Sequence, residues 1–505
     1  MRVPAGLLLG TLGALAIFGR LGCPLLEPEE ARYAEIPRQM LAEGRFIVPV
    51  WHGQPYLHKP PLLYWLVMAC YALFGVNDVA ARLIPCFAAW LTLLAIYVWT
   101  ARRTGRDVAA WTGLLLCFTA GFIYRGPMLS MDSLLMLFVV VGLWCAHEAL
   151  TLPAQARRAQ VCWLLSAVCC GLGVLTKGPV AAVLIVVPIS LYRLLVHIGK
   201  ARQAGDRVAL ASCRAVLWPD RGPPAASTAL YLAVTCMVAA PWYLAVAWRE
   251  PGALWDFLWL HNAQRFAIPF DHAEPFWFYA PVVLGGLLPA SLLLPWLLVR
   301  AVRNLATRGG SMAPSASLLA GIGGILCVLF FSLSGCKRAG YVLPALPLLV
   351  MVIGRHASDW LRRFSPGKIG LRPAVTLLVV LCGVELFAVL GFLRAYHERF
   401  SMRSEVRAHG QAARRPAVRV ACYPRGWDSV HFYLDRAAVR IFTRADSAKL
   451  AATLHGDGPL VLFVKAAHLH EVRDLLPAHH ELHWSPGRNV AVVSLTPAPA
   501  LAATR

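Results

Sequence analysis

Twelve apolar stretches divide this chain, near residues 3–22, 61–75, 83–100, 107–122, 128–148, 161–176, 179–195, 227–247, 276–299, 317–333, 341–356 and 373–394. Several are long enough, as helix, to cross a hydrocarbon layer of roughly 30 Å. With 505 residues, 58% of them hydrophobic and only 15% charged, the chain reads as an all-α polytopic membrane protein. The first stretch follows Arg2 and has no small-residue cleavage site before the acidic segment, so it is expected to stay as a helix. A net charge of +22 suggests nucleic acid at first sight. The basic residues lie instead between apolar stretches, in ARRTGR from 101, QARR from 155, the run 193–221, RAVRNLATR from 300 and RHASDWLRRF from 355. Cytoplasmic loops collect Lys and Arg in this way, so no nucleic-acid partner is expected.

Alternating sides from these basic loops places the N-terminus inside and the C-terminus outside. The stretch 61–75 makes only about 22 Å of helix, too short for a simple crossing, and is expected to be re-entrant or interfacial. Eleven crossings follow, or thirteen if a split helix is hidden elsewhere.

One polar segment breaks the pattern: EPEEARYAEIPRQMLAEGRFIVPVWHGQPYLHKPPLLYW, residues 27–65. Its charges are costly beside lipid unless they face water or a ligand, so residues 23–60 are expected to form the first extracytoplasmic loop. Glu29 or Glu30 could take a proton from an attacking hydroxyl. The plainer alternative is that the run starts an interfacial helix, where Glu suits the first turn, and that reading is preferred for Glu35. The expected topology also puts Lys59, Lys177, Arg265, Lys337 and Arg338 on this outer face, together with Asp132. Any one of these cations alone would read as a snorkelling side chain, but several together suit a phosphate or diphosphate leaving group. Tyr341 is a candidate further donor.

Most of the fourteen cysteines sit inside apolar stretches as small packing residues, and none has metal-ligand spacing. His468, His470, His479, His480 and His483 read as solvated surface. No cofactor and no metal are expected. After residue 395 the short β-branched runs VRVACY, AVRIFT, LVLFV and NVAVVSL alternate with helix-like segments near 427–434, 445–454 and 467–476. A small C-terminal extracytoplasmic α/β domain, residues 395–505, is expected to follow a membrane domain of residues 1–394.

The segments EEARYAEIPRQM, PYLHKPPLLYW, FGVNDVAARLIP, MDSLLMLF, LTKGPVA, HNAQRF with EPFWFYAPV, and SGCKRAGYVLP, in this order, resemble the bacterial polyprenyl-phosphate glycosyltransferases. These belong to the protein O-mannosyltransferase superfamily with the GT-C fold, and the likeness is strongest to the branch of 4-amino-4-deoxy-L-arabinose lipid A transferase, over roughly residues 5–350. The resemblance implies an inverting transfer, on the periplasmic side of the inner membrane, from an undecaprenyl-phosphate sugar donor to a lipid or protein acceptor in the envelope. It implies Glu29 as the first-loop catalytic acid, Asp132 as a second-loop acid, and Lys59, Lys177, Arg265 and Tyr341 at the donor phosphate, where the expected topology adds Lys337. Arg32, Tyr33, Tyr56, His58 and His261 would contact substrate. Two departures stand out: the family's usual first-loop Asp is Glu29 here, and the usual acid before the lysine is His58, which puts in doubt any metal bound through that position.

The competing class is a lipid-linked sugar transporter or flippase, whose polar groups would sit near the bilayer midplane within internal repeats. Here the ionisable residues gather at helix ends and no repeat is visible. Within the enzyme class, protein O-mannosylation is the alternative.

Overall fold

The computed structural model describes residues 5–153, 155–204, 225–268, 271–297, 299, 314–364, 383–384, 387, 391–436, 438–456, 458–476, 480–486 and 490–497. It divides into two compact units: Met1–Leu21, Tyr56–Leu66 and Arg82–Leu390 form one, and Gly22–Pro55, Val67–Ala81 and Gly391–Arg505 form the other.

The first unit is helical. Among the described residues six helices are long and apolar enough to cross a membrane: Asp78–Thr104, Met131–Thr151, Arg157–Lys177, Val180–Gly199, Ser227–Arg249 and Ala316–Leu333. The pair Phe276–Gly286 and Ala290–Leu297, bent by 103°, makes a seventh if it is one broken span. The chain is thus a multi-pass membrane protein. Each of the first eleven apolar stretches of the sequence falls on helix, while the twelfth, 373–394, lies largely outside the described residues. The stretch 61–75 is the 13-residue helix Leu62–Phe74, about 20 Å long.

The helices bury a shared core that includes Trp99, Phe122, Leu135, Leu143, Tyr279 and Leu348. Close approach depends on small residues. A Cβ on Gly171 would come within 2.7 Å of the Val238 Cβ, so only glycine lets Arg157–Lys177 lie this near Ala225–Arg249. The same helix ends on Lys177, followed by Gly178 at φ +87°. A glycine accepts that left-handed stop, and a cation suits the negative end of the helix dipole.

The second unit begins with helix Glu29–Ala42, which has Glu29 and Glu30 in its first turn. Strands β1 (Val50–Trp51) and β2 (Gln54–Pro55) follow as a hairpin. His52 and Gly53 make its turn with φ +52° and +76°, the two positive values a type I′ turn needs.

The C-terminal part carries β3 (Arg419–Tyr423), β4 (Arg440–Ile441), β5 (Leu460–Lys465), β6 (His480–Pro486) and β7 (Val490–Pro497), in sheet order β4-β3-β5-β7-β6. Strands β4, β3 and β5 are parallel, with helices Asp428–Leu434 and Ser447–Leu454 in their crossovers, as parallel pairing requires. Strands β7 and β6 add antiparallel. Side chains alternate along the central strands. Val420, Cys422, Val461 and Phe463 enter one core, while Ala421, Tyr423, Leu460, Leu462 and Val464 enter another on the opposite face. Being covered on both faces is what makes these runs continuously apolar in sequence. The four strand segments and three helical segments read from the sequence are present. Strand β6 is a further one, and it contains His480 and His483, two of the histidines expected on a solvated surface. His479 lies outside the described residues.

Candidate active site

Lys59, Lys177, Arg265 and Tyr341, four of the five residues expected at a phosphate, line one cavity of about 470 Å³ in the helical unit. They arrive from four places in the chain: the turn before helix Leu62–Phe74, the end of Arg157–Lys177, the segment after Asp256–Gln264, and the turn Ala339–Val342. The remaining wall is largely apolar, with Val180, Val183, Leu258, Phe266, Phe330 and Phe331. A pocket that joins a cationic end to an apolar wall can hold an anionic head carried on a hydrocarbon chain.

The cations are in different states. Lys177 is buried and donates to Asp132, which sits in the first turn of Met131–Thr151. Its ammonium also lies 4.0 Å from the centre of the Tyr341 ring and 5.6 Å from that of Phe331. Arg265 is held by Asp271, its Nη2 lying 2.9 and 2.8 Å from the two carboxylate oxygens. Cys336 Sγ reaches the same Asp271 at 3.4 Å. Lys59 is half-buried and makes no hydrogen bond or ion pair with another described residue. Burial, then the charges of Lys177 and Arg265, push its ammonium down to about 7, although Asp132 pulls the other way. Burial raises the Tyr341 phenol above its ordinary range, so it remains a protonated donor.

Lys337 has a different environment. Its ammonium is buried and donates to the Glu274 carbonyl at 2.8 Å and the Ser334 carbonyl at 2.5 Å, and it does not line the cavity. Gly340 lies beneath Asp132: a Cβ there would be 2.6 Å from Asp132 Oδ2. Tyr56 is buried and its ring centre is 4.6 Å from that of the exposed His58. The side chain of His261 lies outside the described part of the structure, but Asn262 beside it lines the cavity.

Glu29, Glu30, Arg32 and Tyr33 belong to the other unit, on helix Glu29–Ala42. Glu29 is partly exposed. Glu30 is fully buried, accepts the Leu26 N–H at 3.1 Å and lies 3.7 Å from His397 Nδ1. Glu35 is bound on both oxygens by Arg38, at 2.6 and 2.7 Å. Arg32 lies over the Trp51 ring at 4.4 Å and meets Asp428 at 3.4 Å. Asp428 also accepts from Trp51 Nε1 at 2.7 Å and His52 Nε2 at 3.0 Å. Burial works against its charge, but the hydrogen bonds from His52 and Trp51 and the Arg32 charge hold its carboxyl below the usual range. Nearby, Glu27 accepts from the Ser429 N–H at 2.7 Å and Oγ at 2.5 Å, and burial and then the Asp428 charge raise it to about 7.

Asn262, Asp271, Cys336 and the Asp428 group were not singled out from sequence. Asn262 stood inside the HNAQRF segment, whereas the pairing of Asp271 with Arg265 has no sequence signal beyond proximity. Among the described residues, no three His, Cys, Asp or Glu side chains gather closely enough to hold a metal ion.

The profile of the family described as dolichyl-phosphate-mannose-protein mannosyltransferase matches residues 25–256. The chain is 30% identical over 346 residues to the undecaprenyl phosphate-alpha-4-amino-4-deoxy-L-arabinose arabinosyl transferase of Erwinia tasmaniensis, covering 66% of this chain and 55% of that protein. It is 32% identical over 383 residues to transferase 1 of that name from Pseudomonas fluorescens, covering 74% and 60%. The matched part thus spans less than two thirds of the length of these curated relatives. In three dimensions the chain is similar to ArnT from Cupriavidus metallidurans bound to undecaprenyl phosphate, with a TM-score of 0.73, 20% identity and 97% of each chain covered. The apo state of that protein gives 0.69. The fold is therefore the GT-C fold that the motif set implied.

Proposed function

We propose that this chain is a membrane glycosyltransferase that moves a sugar from an undecaprenyl-phosphate donor to an envelope acceptor such as lipid A. The observation that carries this reading is the cavity in which Lys59, Lys177, Arg265 and Tyr341 meet an apolar wall. The names of the relatives, with their undecaprenyl-phosphate-linked aminoarabinose, and the undecaprenyl phosphate bound by the similar ArnT structure, support it.

In this mechanism an acceptor oxygen attacks the anomeric carbon as the bond from that carbon to the phosphate oxygen breaks, inverting the centre. The electron pair leaves on polyprenyl phosphate. Lys59, Arg265 and Tyr341 stabilise the charge as it grows there, and Lys177 holds the position of the Tyr341 ring. For Glu29 and Glu30 the support is the sequence motif. Their proposed role is to orient the acceptor, or to take its proton when it is a hydroxyl; a phosphate acceptor needs no strong base. Arg32, Tyr33, Tyr56 and His261 are proposed substrate contacts on the same motif grounds, and His58, which departs from the motif, by its place beside Lys59. The reaction is proposed to occur on the periplasmic side of the inner membrane, with residues 395–505 on that side.

Purified full-length protein mixed with sugar-loaded polyprenyl phosphate should release polyprenyl phosphate when lipid A is supplied, and mass spectrometry should find the sugar on lipid A. Transfer to a peptide instead would favour the protein-acceptor reading. Movement of intact donor across vesicles without cleavage would sink the enzyme reading.

A further inference from the structure

The second unit contains a groove of about 840 Å³ that the proposed transfer does not use. Arg407, Arg414 and Arg436 line it, with Asn77, Asp78 and Asp435. Both carboxylates are already paired: Asp78 with Arg403 at 3.1 Å and the Tyr433 hydroxyl at 2.6 Å, and Asp435 with Arg38 at 2.8 Å. Two of the guanidiniums are fixed by the backbone. Arg414 Nη2 donates to the Tyr433 carbonyl at 2.9 Å, and Arg436 Nη1 donates to the Ala413 carbonyl at 2.6 Å. Arg407 is exposed and makes no hydrogen bond or ion pair with another described residue. The groove therefore presents three cations whose charge no lining carboxylate cancels, two of them pre-oriented, which suits the several oxygens of a phosphate.

A second observation gives the kind of phosphate. The rim of the groove includes Val76, Asn77 and Asp78, where the membrane-spanning helix Asp78–Thr104 begins. Around that start Leu73 is 75% exposed and Phe74 61%, and Val76 and Val79 are exposed as well. Large apolar side chains left open beside cations at the end of a span match an amphiphile, with its head on the arginines and its chain on the apolar residues.

We propose that this groove binds the phosphate headgroup of an anionic membrane lipid, with Arg407, Arg414 and Arg436 as its ligands and Leu73, Phe74, Val76 and Val79 against its acyl chains. A lipid held there would anchor this unit at the membrane surface.

The test uses the purified full-length protein in detergent, with phosphatidylglycerol, phosphatidylcholine and inorganic phosphate as probes and native mass spectrometry as the readout. It needs no sugar donor, so its result is separate from that of the transfer assay. Phosphatidylglycerol should be retained in preference to phosphatidylcholine. Arg407→Glu removes an attraction and adds a repulsion at a side chain with no described partner to lose, and should weaken phosphatidylglycerol about tenfold or more. Phe74→Asn should weaken the lipid but leave any binding of inorganic phosphate unchanged. Equal retention of phosphatidylglycerol by the wild type and Arg407→Glu overturns the proposal. So does full competition by inorganic phosphate together with no effect of Phe74→Asn, which would describe a site for free anions.

Discussion

The Lys177 ammonium lies 4.0 Å from the centre of the Tyr341 ring while it donates to Asp132. Three segments far apart in sequence thus meet at one charge. Because Asp132 neutralises Lys177 and Asp271 neutralises Arg265, Lys59 is the cavity cation with no carboxylate partner among the described residues.

Lys177→Met should leave Asp132 buried without its partner and destabilise the protein by about 3–5 kcal/mol. The double variant Lys177→Met with Asp132→Leu should recover most of that loss, yet remain inactive. Unfolding in detergent, followed by intrinsic fluorescence, measures both. A single variant as stable as the wild type would mean that the pair contributes nothing to the fold.

Affinity for undecaprenyl phosphate should depend on pH through Lys59. With its ammonium near 7, the free site is charged at Lys59 below that value and neutral above it. Anion binding favours the charged form, so above pH 7 it must take up a proton, and affinity should fall as pH rises from 6.5 to 8.5. The apo protein should respond in the opposite sense. Between about 7 and the unfolded-state value near 10.5, the unfolded chain holds more protons at this residue, so stability rises with pH. Lys59→Arg should flatten the binding profile. Calorimetry at three pH values tests this, and a flat wild-type profile would contradict it.

Gly340→Ala places a methyl group 2.6 Å from Asp132 Oδ2. Asp132 must shift and take Lys177 with it, at a cost of about 1–3 kcal/mol for an overpacked site. Transfer should fall more than stability does. Undiminished turnover would show that the placement of Asp132 does not matter to the reaction.

Asp428→Asn should loosen Arg32 and His52 by about 1–3 kcal/mol. It should also change the pH response of the fold. Glu27, raised to about 7, binds a proton more readily in the folded than in the unfolded chain. Its contribution is present below about 4.5 and is lost as pH rises through 7. With the Asp428 charge gone, that loss should shrink. Urea titrations at pH 5 and 7 compare the two proteins, and an unchanged difference would separate Glu27 from Asp428.

Much of the helical unit was legible because burial in lipid or between helices leaves long apolar runs, and the strands β3 and β5 were legible because both their faces are covered. Strand β6 was missed: HHELHWSP has no β-branched run and reads as polar surface. The convergence of Lys59, Lys177, Arg265 and Tyr341 could be expected from charge at helix ends, but their pairing could not. Nothing in the order of residues says that Lys337 donates to two backbone carbonyls while Lys59 has no hydrogen-bond or ion-pair partner among the described residues. Glu29 and Glu30 were read with Lys59 as one loop, yet they fall in the other compact unit, because a division by packing does not follow the boundaries of a polar run.

The bonds of Lys337 have a mechanical consequence. By gripping the carbonyls of Glu274 and Ser334, with its own N–H on the His272 carbonyl at 3.0 Å, this lysine rivets the strip that carries Asp271 to the strip that leads through Cys336 to Tyr341. The guanidinium of Arg265 and the phenol of Tyr341 thereby share one rigid frame. Damage to a residue that does not line the cavity would be felt as a change in the spacing of two groups that do.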